Sequence, residues 1–263
     1  MGLAARGLVA LCLAVTIGAA GAAAESERIQ TDRPSVSTSA STVASGAVQI
    51  ESGAVYSHTS IGGSPADKQF TLELTLRAGL TERLEVRLEG EPLVVTRNEH
   101  GDTGLGNLTL DAKYRFLDGR EDSWRPSLGV LPFVTFPVAH APHGTNIPDF
   151  GLIGLVSFDF PLGLSLDTNL GVGGRAQRPG GYLVQGVASA ALGLDIGERW
   201  STFAEVFYSS AAERRARDSV GVDAGVEFFL TRVIALDAAV QTSLAGPGPD
   251  YAFRAGLSIR FGR

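Results

Sequence analysis

The sequence predicts an all-β fold, a transmembrane antiparallel up-and-down β-barrel of about 12 strands, on the basis of three observations. From residue 46 onward, apolar side chains recur at every second position, which is the period of a β-strand. The alternating stretches run for about 10–13 residues, close to the roughly 9–11 with which a strand crosses a bilayer. Short turns and longer loops rich in Gly, Pro and charge alternate between them.

Composition excludes some classes of protein before any motif is considered. Of the 263 residues, 44% are hydrophobic and 19% are charged, and the formal net charge is −6. This acidic balance excludes a nucleic-acid partner, which would need a basic face. The single cysteine, Cys12, lies in the leader described next, so we expect the exported chain to fold without disulfides.

Residues 1–24 have the organisation of a secretory signal peptide. Arg6 supplies a short positive region, an apolar run follows, and three alanines (22–24) provide small residues at the cleavage position before Glu25. A membrane anchor is the alternative, but the apolar run is short and ends in small residues. We therefore expect export and removal of residues 1–24.

Residues 25–45 form a polar arm in which serine and threonine dominate and no period emerges. The arm carries Asp32, Arg33 and Pro34 ahead of the first strand. Two placements are open: the arm folds into the barrel as a plug, or it hangs outside as a periplasmic tail. The barrel itself is predicted to span residues 46–263.

The period of two locates each strand of the barrel in turn. We predict strands at 46–58, 70–80, 83–97, 108–116, 124–137, 150–160, 164–174, 182–196, 200–210, 219–229, 233–243 and 251–261. Loops are expected at 59–68, 98–106, 138–149, 175–181, 211–218 and 245–250. Soft boundaries at 124–137 and 182–196 leave ten or fourteen strands open. Pro132 lies inside a strand and has no amide to donate, so it predicts a bulge or an inward kink, or a plain irregularity.

Alternation alone does not say which face points inward. A lipocalin-like barrel buries its apolar face, whereas a membrane barrel turns that face to lipid. Side chains fill a barrel interior only near eight strands, so an apolar interior of twelve strands would be an unpacked void. In the last strand, Arg254 and Arg260 alternate with Tyr251, Phe253 and Phe261. We therefore assign the charged face to a wet lumen and the apolar face to hydrocarbon.

Aromatic residues near the strand ends favour interfacial girdles, although aromatics are enriched in strands generally. We expect both termini to lie on the periplasmic side of the outer membrane, with the long loops outside. The expected partners are outer-membrane lipid and lipopolysaccharide, and the barrel-assembly machinery during insertion. The C-terminal strand resembles the recognition signal of bacterial outer-membrane barrels, except that Gly262 and Arg263 follow Phe261.

The inward face is the strongest candidate site. The charged residues predicted to line the lumen are Glu51, Glu73, Arg77, Glu85, Arg87, Asp111, Lys113, Arg115, Asp167, Asp195, Glu205, Asp223, Glu227, Asp237, Arg254 and Arg260. Acids outnumber bases, which favours a hydrated pore for neutral or cationic solutes. The alternative is that arginine–carboxylate ladders brace the wall and close the lumen. Small inward residues such as Gly221 and Gly225 leave room and favour an open passage.

Other chemistry is weakly indicated, and no cofactor, metal or catalytic residue is assigned. His140 and His143 with Asp149 have a spacing that could bind a metal, but this spacing alone is a weak signal and a solvated loop explains the residues better. The histidines lie in or beside loops, apart from His58 at a strand end, so a Ser–His hydrolase is not predicted. The basic run 213–217 could contact lipid phosphates or simply be solvated.

Four stretches together resemble the phenol-degradation meta-pathway transporter family, whose members are expected to form outer-membrane barrels. They are TDRPSVSTSASTVASGAVQIESGAVYS (31–57), AGLTERLEVRL (78–88), GLGNLTLDAKYRFL (104–117) and RPSLGVLPFVTFP (125–137). The resemblance covers most of the mature chain and implies passage of small molecules, with aromatic or hydrophobic ones as candidates. It names no proven solute and no catalytic residue.

The predicted function is therefore that of an outer-membrane channel or transporter for passive diffusion of small molecules, and the protein is not expected to be an enzyme. The alternative is a structural or binding barrel whose lumen is closed. The sequence does not identify the solute or the oligomeric state.

Overall fold

The computed structural model describes residues 27–62, 64–98, 101–120, 124–138, 147–177 and 180–262, so the predicted signal peptide lies outside the described residues. Thirteen strands are present among them. The first seven are β1 (Val48–Ile61), β2 (Ser64–Thr81), β3 (Leu84–Arg97), β4 (Asp102–Gly104), β5 (Leu108–Leu117), β6 (Ser127–Phe136) and β7 (Asp149–Phe160). The other six are β8 (Leu164–Ala176), β9 (Tyr182–Ile196), β10 (Trp200–Ser209), β11 (Ser219–Thr231), β12 (Ile234–Ala245) and β13 (Tyr251–Phe261).

Twelve of these strands close into one antiparallel barrel. Each pairs with its neighbours along the chain, and β1 pairs with both β2 and β13, which closes the ring. The short β4 pairs only with β3 and stands outside the ring. The predicted up-and-down barrel and its strand count are therefore confirmed. Closure leaves no long unpaired edge among these twelve strands.

Two of the predicted loops are wrong in part. The β1–β2 hairpin continues through most of the predicted loop at 59–68, and Thr59 pairs with Asp67. The predicted loop at 98–106 contains β4. Both stretches are rich in Gly and polar residues, which is why composition indicated loops, but backbone pairing at the rim of the barrel overrides that local signal.

Pro132 causes neither a bulge nor an inward kink, so those two expectations are wrong. The β5–β6 register is the same on both sides of it, with Asp111 opposite Phe133 and Tyr114 opposite Val130. Its ring lies on the exposed outer face of β6. The sheet tolerates it there because the only loss is one donor in the ladder toward β5.

The outer face of the barrel is apolar and the inner face is charged. Val240 and Phe253, on the outside, are 52% and 53% exposed. Arg77 and Lys113, on the inside, are 1% and 0% exposed. This is the reverse of a soluble domain, in which charged side chains point outward. Among the described residues no helix is long and apolar enough to span a membrane.

The two ends of the barrel differ. Tight connections join β2 to β3, β7 to β8, β9 to β10 and β11 to β12 at one end, which also carries the beginning of β1 and the end of β13. We call this the terminal end. The opposite end, which we call the loop end, carries the longer connections between β3 and β5, β6 and β7, and β10 and β11.

Candidate functional site

The interior of the barrel is occupied by the arm that precedes β1. The amide of Ile29 donates to Arg232 O (2.8 Å), and Thr42 Oγ1 donates to Glu82 O (2.9 Å). Arg232 and Glu82 both lie in tight turns of the terminal end. The arm therefore enters the lumen at that end, reaches an apex, and returns to the same end before β1 begins.

Asp32 attaches the ascending half of the arm to the wall. Its carboxylate accepts from Arg87 Nη1 (2.7 Å), Lys113 Nζ (2.9 Å) and Arg77 Nη2 (3.2 Å). These cations come from β3, β5 and β2, which lie side by side in the barrel. Burial alone would raise the pKa of Asp32, but Arg77, Lys113 and Arg87 outweigh it and hold the pKa well below its ordinary value.

Arg77 connects this contact to the wall itself. Its guanidinium donates to Glu51 Oε1 (2.7 Å) on β1 and Glu85 Oε1 (2.7 Å) on β3, and also to Gln30 O (3.1 Å) in the arm. Glu51 and Glu85 are 1% and 0% exposed. These residues point inward, where the arm covers them and they brace three neighbouring strands.

Arg33 lies on the inner wall next to this network. It pairs with Glu73, and its Nε is 3.5 Å from Asp237 Oδ2. The guanidinium lies flat on two glycines paired across β1 and β13, since a Cβ on Gly53 would lie 2.0 Å from Arg33 Nη2 and one on Gly256 would lie 2.7 Å from Arg33 Nε. The absence of side chains at this pair is what leaves space for the arm's arginine.

The apex of the arm is held mainly through its backbone. Val36 N and Ser37 N donate to the two oxygens of Glu205 (2.7 and 2.6 Å) on β10. Thr38 N donates to Asn169 Oδ1 (2.7 Å) on β8, and Asn169 Nδ2 donates back to Thr38 O (2.8 Å). These contacts close the lumen on the side opposite Asp32.

The descending half of the arm packs on an apolar part of the inner wall. Ala40, fully buried, contacts Leu131 and Leu155, and its amide donates to Ser157 Oγ (2.8 Å). Further down, Val43 N donates to Glu85 Oε2 (2.7 Å). The descending half of the arm therefore packs against inward apolar side chains of β6 and β7.

Two of the cavities in the described part of the structure border the arm inside the lumen. The upper cavity, of about 420 Å³, lies between the arm and β1–β7 and includes Glu89, Thr109 and Phe133. The lower cavity, of about 340 Å³, lies between the arm and β7–β11 and includes Ser165, Asp195 and Glu227. Arg33, Pro34 and Ser35 line both cavities. These three arm residues are the partition between the two halves of the lumen.

The other predicted lumen residues also lie on the inner face, and most of them contact the arm or another side chain. Asp195 pairs with Arg28, Glu227 accepts from Thr31, Asp167 accepts from Ser157, Arg254 donates to Pro34 O, Arg260 donates to Glu27 O, and Arg115 pairs with Asp118 at the terminal end. Asp223 is 5% exposed and stands opposite Glu205 and Gln241 in the ladder. The sequence did not identify the arm residues Arg28, Ser37 and Thr38 as contacts of the barrel wall, because no periodic pattern marks them.

The expectation that inward glycines widen the lumen is wrong for Gly221 and Gly225. A Cβ on Gly221 would lie 2.3 Å from Phe207 Cζ, and one on Gly225 would lie 2.5 Å from Phe203 Cε1. Each ring lies across the strand on its partner glycine and fills the space that the glycine leaves. The missed signal was the phenylalanines of β10, which occupy inward positions on either side of Glu205.

Metal chemistry is not supported by the part of the chain that the structure describes. No group of three or more His, Cys, Asp or Glu is arranged there to hold a metal ion. His140 and His143 lie outside the described residues. Asp149, their predicted companion, is 2.9 Å from Arg175 Nη1 and accepts from Ala176 N (2.7 Å).

The family model described as "Putative MetA-pathway of phenol degradation" matches residues 31–261. Among solved structures, the COG4313 outer membrane channel from Pseudomonas putida F1 superposes with a TM-score of 0.67 at 15% identity, over 84% of this chain and 97% of that chain. No curated protein matches the chain.

Two further barrels are similar over most of their length. The NanC porin has a TM-score of 0.56 at 11% identity, over 81% of this chain and 98% of that chain. The beta domain of the Bordetella autotransporter BrkA has a TM-score of 0.53 at 16% identity, over 82% of this chain and 100% of that chain. At these identities the likenesses show a shared barrel fold.

Proposed function

The chain belongs to the MetA-pathway phenol-degradation family, and on that premise we propose that it is an outer-membrane channel for passive diffusion of small molecules. The observation that carries the proposal is the inverted barrel. Its outer face is apolar and exposed, its inner face is charged, and two cavities lie along its axis. The likeness to a solved outer membrane channel supports the same assignment.

The route of a solute would run through the upper cavity, past the partition formed by Arg33, Pro34 and Ser35, and through the lower cavity. No covalent cross-link joins the partition to the barrel wall, since residues 33–35 contain no cysteine. The arm is held by hydrogen bonds and ion pairs, so it can move while the barrel stays closed. We propose that passage requires displacement of this short segment and not of the whole arm.

The apolar outer face and the charged inner face also support a location for the protein. We propose that it lies in the outer membrane after export with the terminal end toward the periplasm, that lipid and lipopolysaccharide cover its outer face, and that the barrel-assembly machinery inserts it. Trp200 and Phe228 pack against each other at the terminal end with ring centroids 4.6 Å apart and ring planes tilted by 44°, as expected of an interfacial girdle.

The second candidate is a barrel with a permanently closed lumen and a structural or binding role. The buried Arg77–Glu51–Glu85 brace favours it, because such a network rigidifies the wall and fills the lumen near the terminal end. We propose a non-enzymatic role in either case. His58, the one histidine in the described part of the chain, stacks on Tyr251 at the rim and lies 3.4 Å from Asp250, which supports a structural use.

Conductance in planar lipid bilayers separates the two candidates. The channel predicts discrete current steps for the wild-type protein and larger or longer openings for Glu205→Gln, which weakens the hold on the apex. Persistent silence of both proteins, with the folded state shown by its heat-dependent gel mobility, would favour the closed barrel. Turnover of ester or phospholipid substrates would contradict both.

A further inference from the structure

The upper cavity changes in chemical character around the barrel wall. On β2 and β3 it is lined by Glu73 and Glu89, whose side chains are 32% and 37% exposed, whereas most inward acids are nearly covered. Each of these carboxylates contacts one arginine, Arg33 and Arg87 respectively, and keeps part of its surface open. This side of the cavity therefore presents accessible negative charge.

The next strands around the wall present hydroxyl groups and then apolar surface. Thr109 and Thr135 face each other across β5 and β6 with their hydroxyl oxygens 2.8 Å apart. Beyond them lie Phe133 on β6 and Ile153 on β7. One face of the Phe133 ring covers Gly151, where a Cβ would lie 2.7 Å from the ring, so the other face is turned toward the cavity.

The arm completes the apolar side. Val36, at the apex, is 42% exposed and lines the cavity together with Pro34. An exposed valine and an open phenyl face are unusual inside a lumen that is otherwise charged and hydrogen-bonded. Their position opposite the two open carboxylates gives the cavity an apolar wall and an anionic wall.

From this arrangement we propose that the upper cavity is a binding site for a small amphiphile with one ring-sized apolar part and one ammonium group. The apolar part lies between Phe133, Ile153 and Val36, and the ammonium faces Glu73 and Glu89. A volume of about 420 Å³ is at the lower end of the roughly 300–1,000 Å³ of ligand pockets, which suits a single ring. The inference rests on the proposed channel, whose solute it defines by chemical class.

Equilibrium binding to the full mature protein in detergent tests the site without requiring transport. The probes are 2-phenylethylammonium, which carries both features, propylammonium, which lacks the ring, and 3-phenylpropionate, which carries the opposite charge. Calorimetric titration against protein-free micelles as the blank is expected to show 2-phenylethylammonium binding at least tenfold tighter than either of the others, a difference of about 1.4 kcal/mol. Equal affinities for the three probes would overturn the proposal.

Variants of the two walls locate the binding. Phe133→Leu and Val36→Ser are expected to weaken 2-phenylethylammonium several-fold, while Glu89→Gln weakens it but leaves neutral 2-phenylethanol unchanged, and Glu89→Asp restores ammonium binding. Phe253→Leu, on the outer face, is the matched control and should have no effect. If Phe133→Leu and Phe253→Leu reduce binding equally, the ligand sits in the detergent belt and the proposal fails.

Bilayer recordings on the same preparation separate this inference from the channel itself. Conductance without selective binding of the amphiphile overturns the site and leaves the channel standing. Selective binding by a protein that never conducts supports the site and overturns the channel.

Discussion

Thr38 and Asn169 form a reciprocal pair of hydrogen bonds in which the side-chain amide substitutes for a neighbouring strand. Thr38 N donates to Asn169 Oδ1 at 2.7 Å, and Asn169 Nδ2 donates to Thr38 O at 2.8 Å. The pair satisfies both backbone groups of an arm residue that has no strand partner. It also ties the apex of the arm to β8, on the far side of the lumen from Asp32.

Asn169→Asp is expected to loosen the apex without unfolding the barrel. The variant keeps an acceptor for Thr38 N but loses the donor to Thr38 O and places a negative charge beside that carbonyl. Losing this contact costs about 1–3 kcal/mol locally, which corresponds to roughly 5- to 150-fold faster amide exchange at residues 36–38. Gln185→Glu, near the loop end, is the control, because Gln185 donates to Ser210 O and does not contact the arm. Unchanged exchange at the apex would contradict the role of the pair.

Asp32→Asn is expected to cause a much larger loss of stability. It removes the one carboxylate that three buried cations share, and breaking a buried pair by deleting one partner costs about 3–5 kcal/mol. The free energy of unfolding in detergent should fall accordingly. The same change at Asp118, which pairs with Arg83 where both side chains are about half exposed, should cost only about 0–1 kcal/mol. Equal losses for the two variants would show that the arm contact contributes no more than a surface pair.

The Asp32 contribution has a defined dependence on pH. The folded-state pKa lies below the unfolded value of about 3.9, so the stabilisation is fully present above that pH and declines as pH falls toward the folded pKa. The difference in unfolding free energy between wild type and Asp32→Asn should therefore be constant from about pH 7 to about pH 5. It should shrink only below about pH 4. Taking the difference cancels the titration of those acids that do not interact with Asp32, and a gap that closes between about pH 7 and pH 5 would contradict the assignment.

Alternation in the sequence predicted most of the barrel because each residue's face is fixed by local geometry. The strands predicted at 182–196 and 251–261 have those bounds in the structure, and Arg254 and Arg260 point inward. Alternation did not predict an irregularity in the pairing of β2 and β3. In β3, two residues, Glu91 and Pro92, stand opposite Glu73 alone, so beyond this bulge the inward positions change parity.

The path of the arm through the lumen was harder to predict from the sequence than the strands were. Its polar residues have no period, and each contacts a different strand, so no local pattern encodes the route. Asp32, Arg33 and Pro34 lie in a stretch that carries the family resemblance, yet the partners of Asp32 lie on β2, β3 and β5. A plug is specified by side chains that the barrel brings together only after it closes. Whether the plug blocks passage stays a prediction.

Gly225→Ala tests the packing of phenylalanine on glycine inside the lumen. The added Cβ would lie 2.5 Å from Phe203 Cε1 and 2.7 Å from Ala238 O, so the ring or the β12 backbone must move. Such overpacking typically costs about 1–3 kcal/mol, and the melting temperature should fall. Gly186→Ala is the control, since the nearest atoms to its Cβ are 4.0 Å away. Equal melting temperatures for the two variants would show that the ring is not held against the wall.

Arginine substitutions on the outer face test whether that face contacts hydrocarbon. Val240 lies near the middle of β12 and Leu236 near the terminal end, and both are exposed on the same face. An arginine facing lipid costs about 2–4 kcal/mol at the bilayer midplane and about 0–1 kcal/mol near the interface. Val240→Arg should therefore destabilise the protein in lipid vesicles by about 2–4 kcal/mol and Leu236→Arg by less, as measured by denaturant unfolding. If the outer face met water, both substitutions would be nearly neutral and the wild-type protein would stay folded and dissolved without detergent. Either result would overturn the inverted barrel and the channel with it.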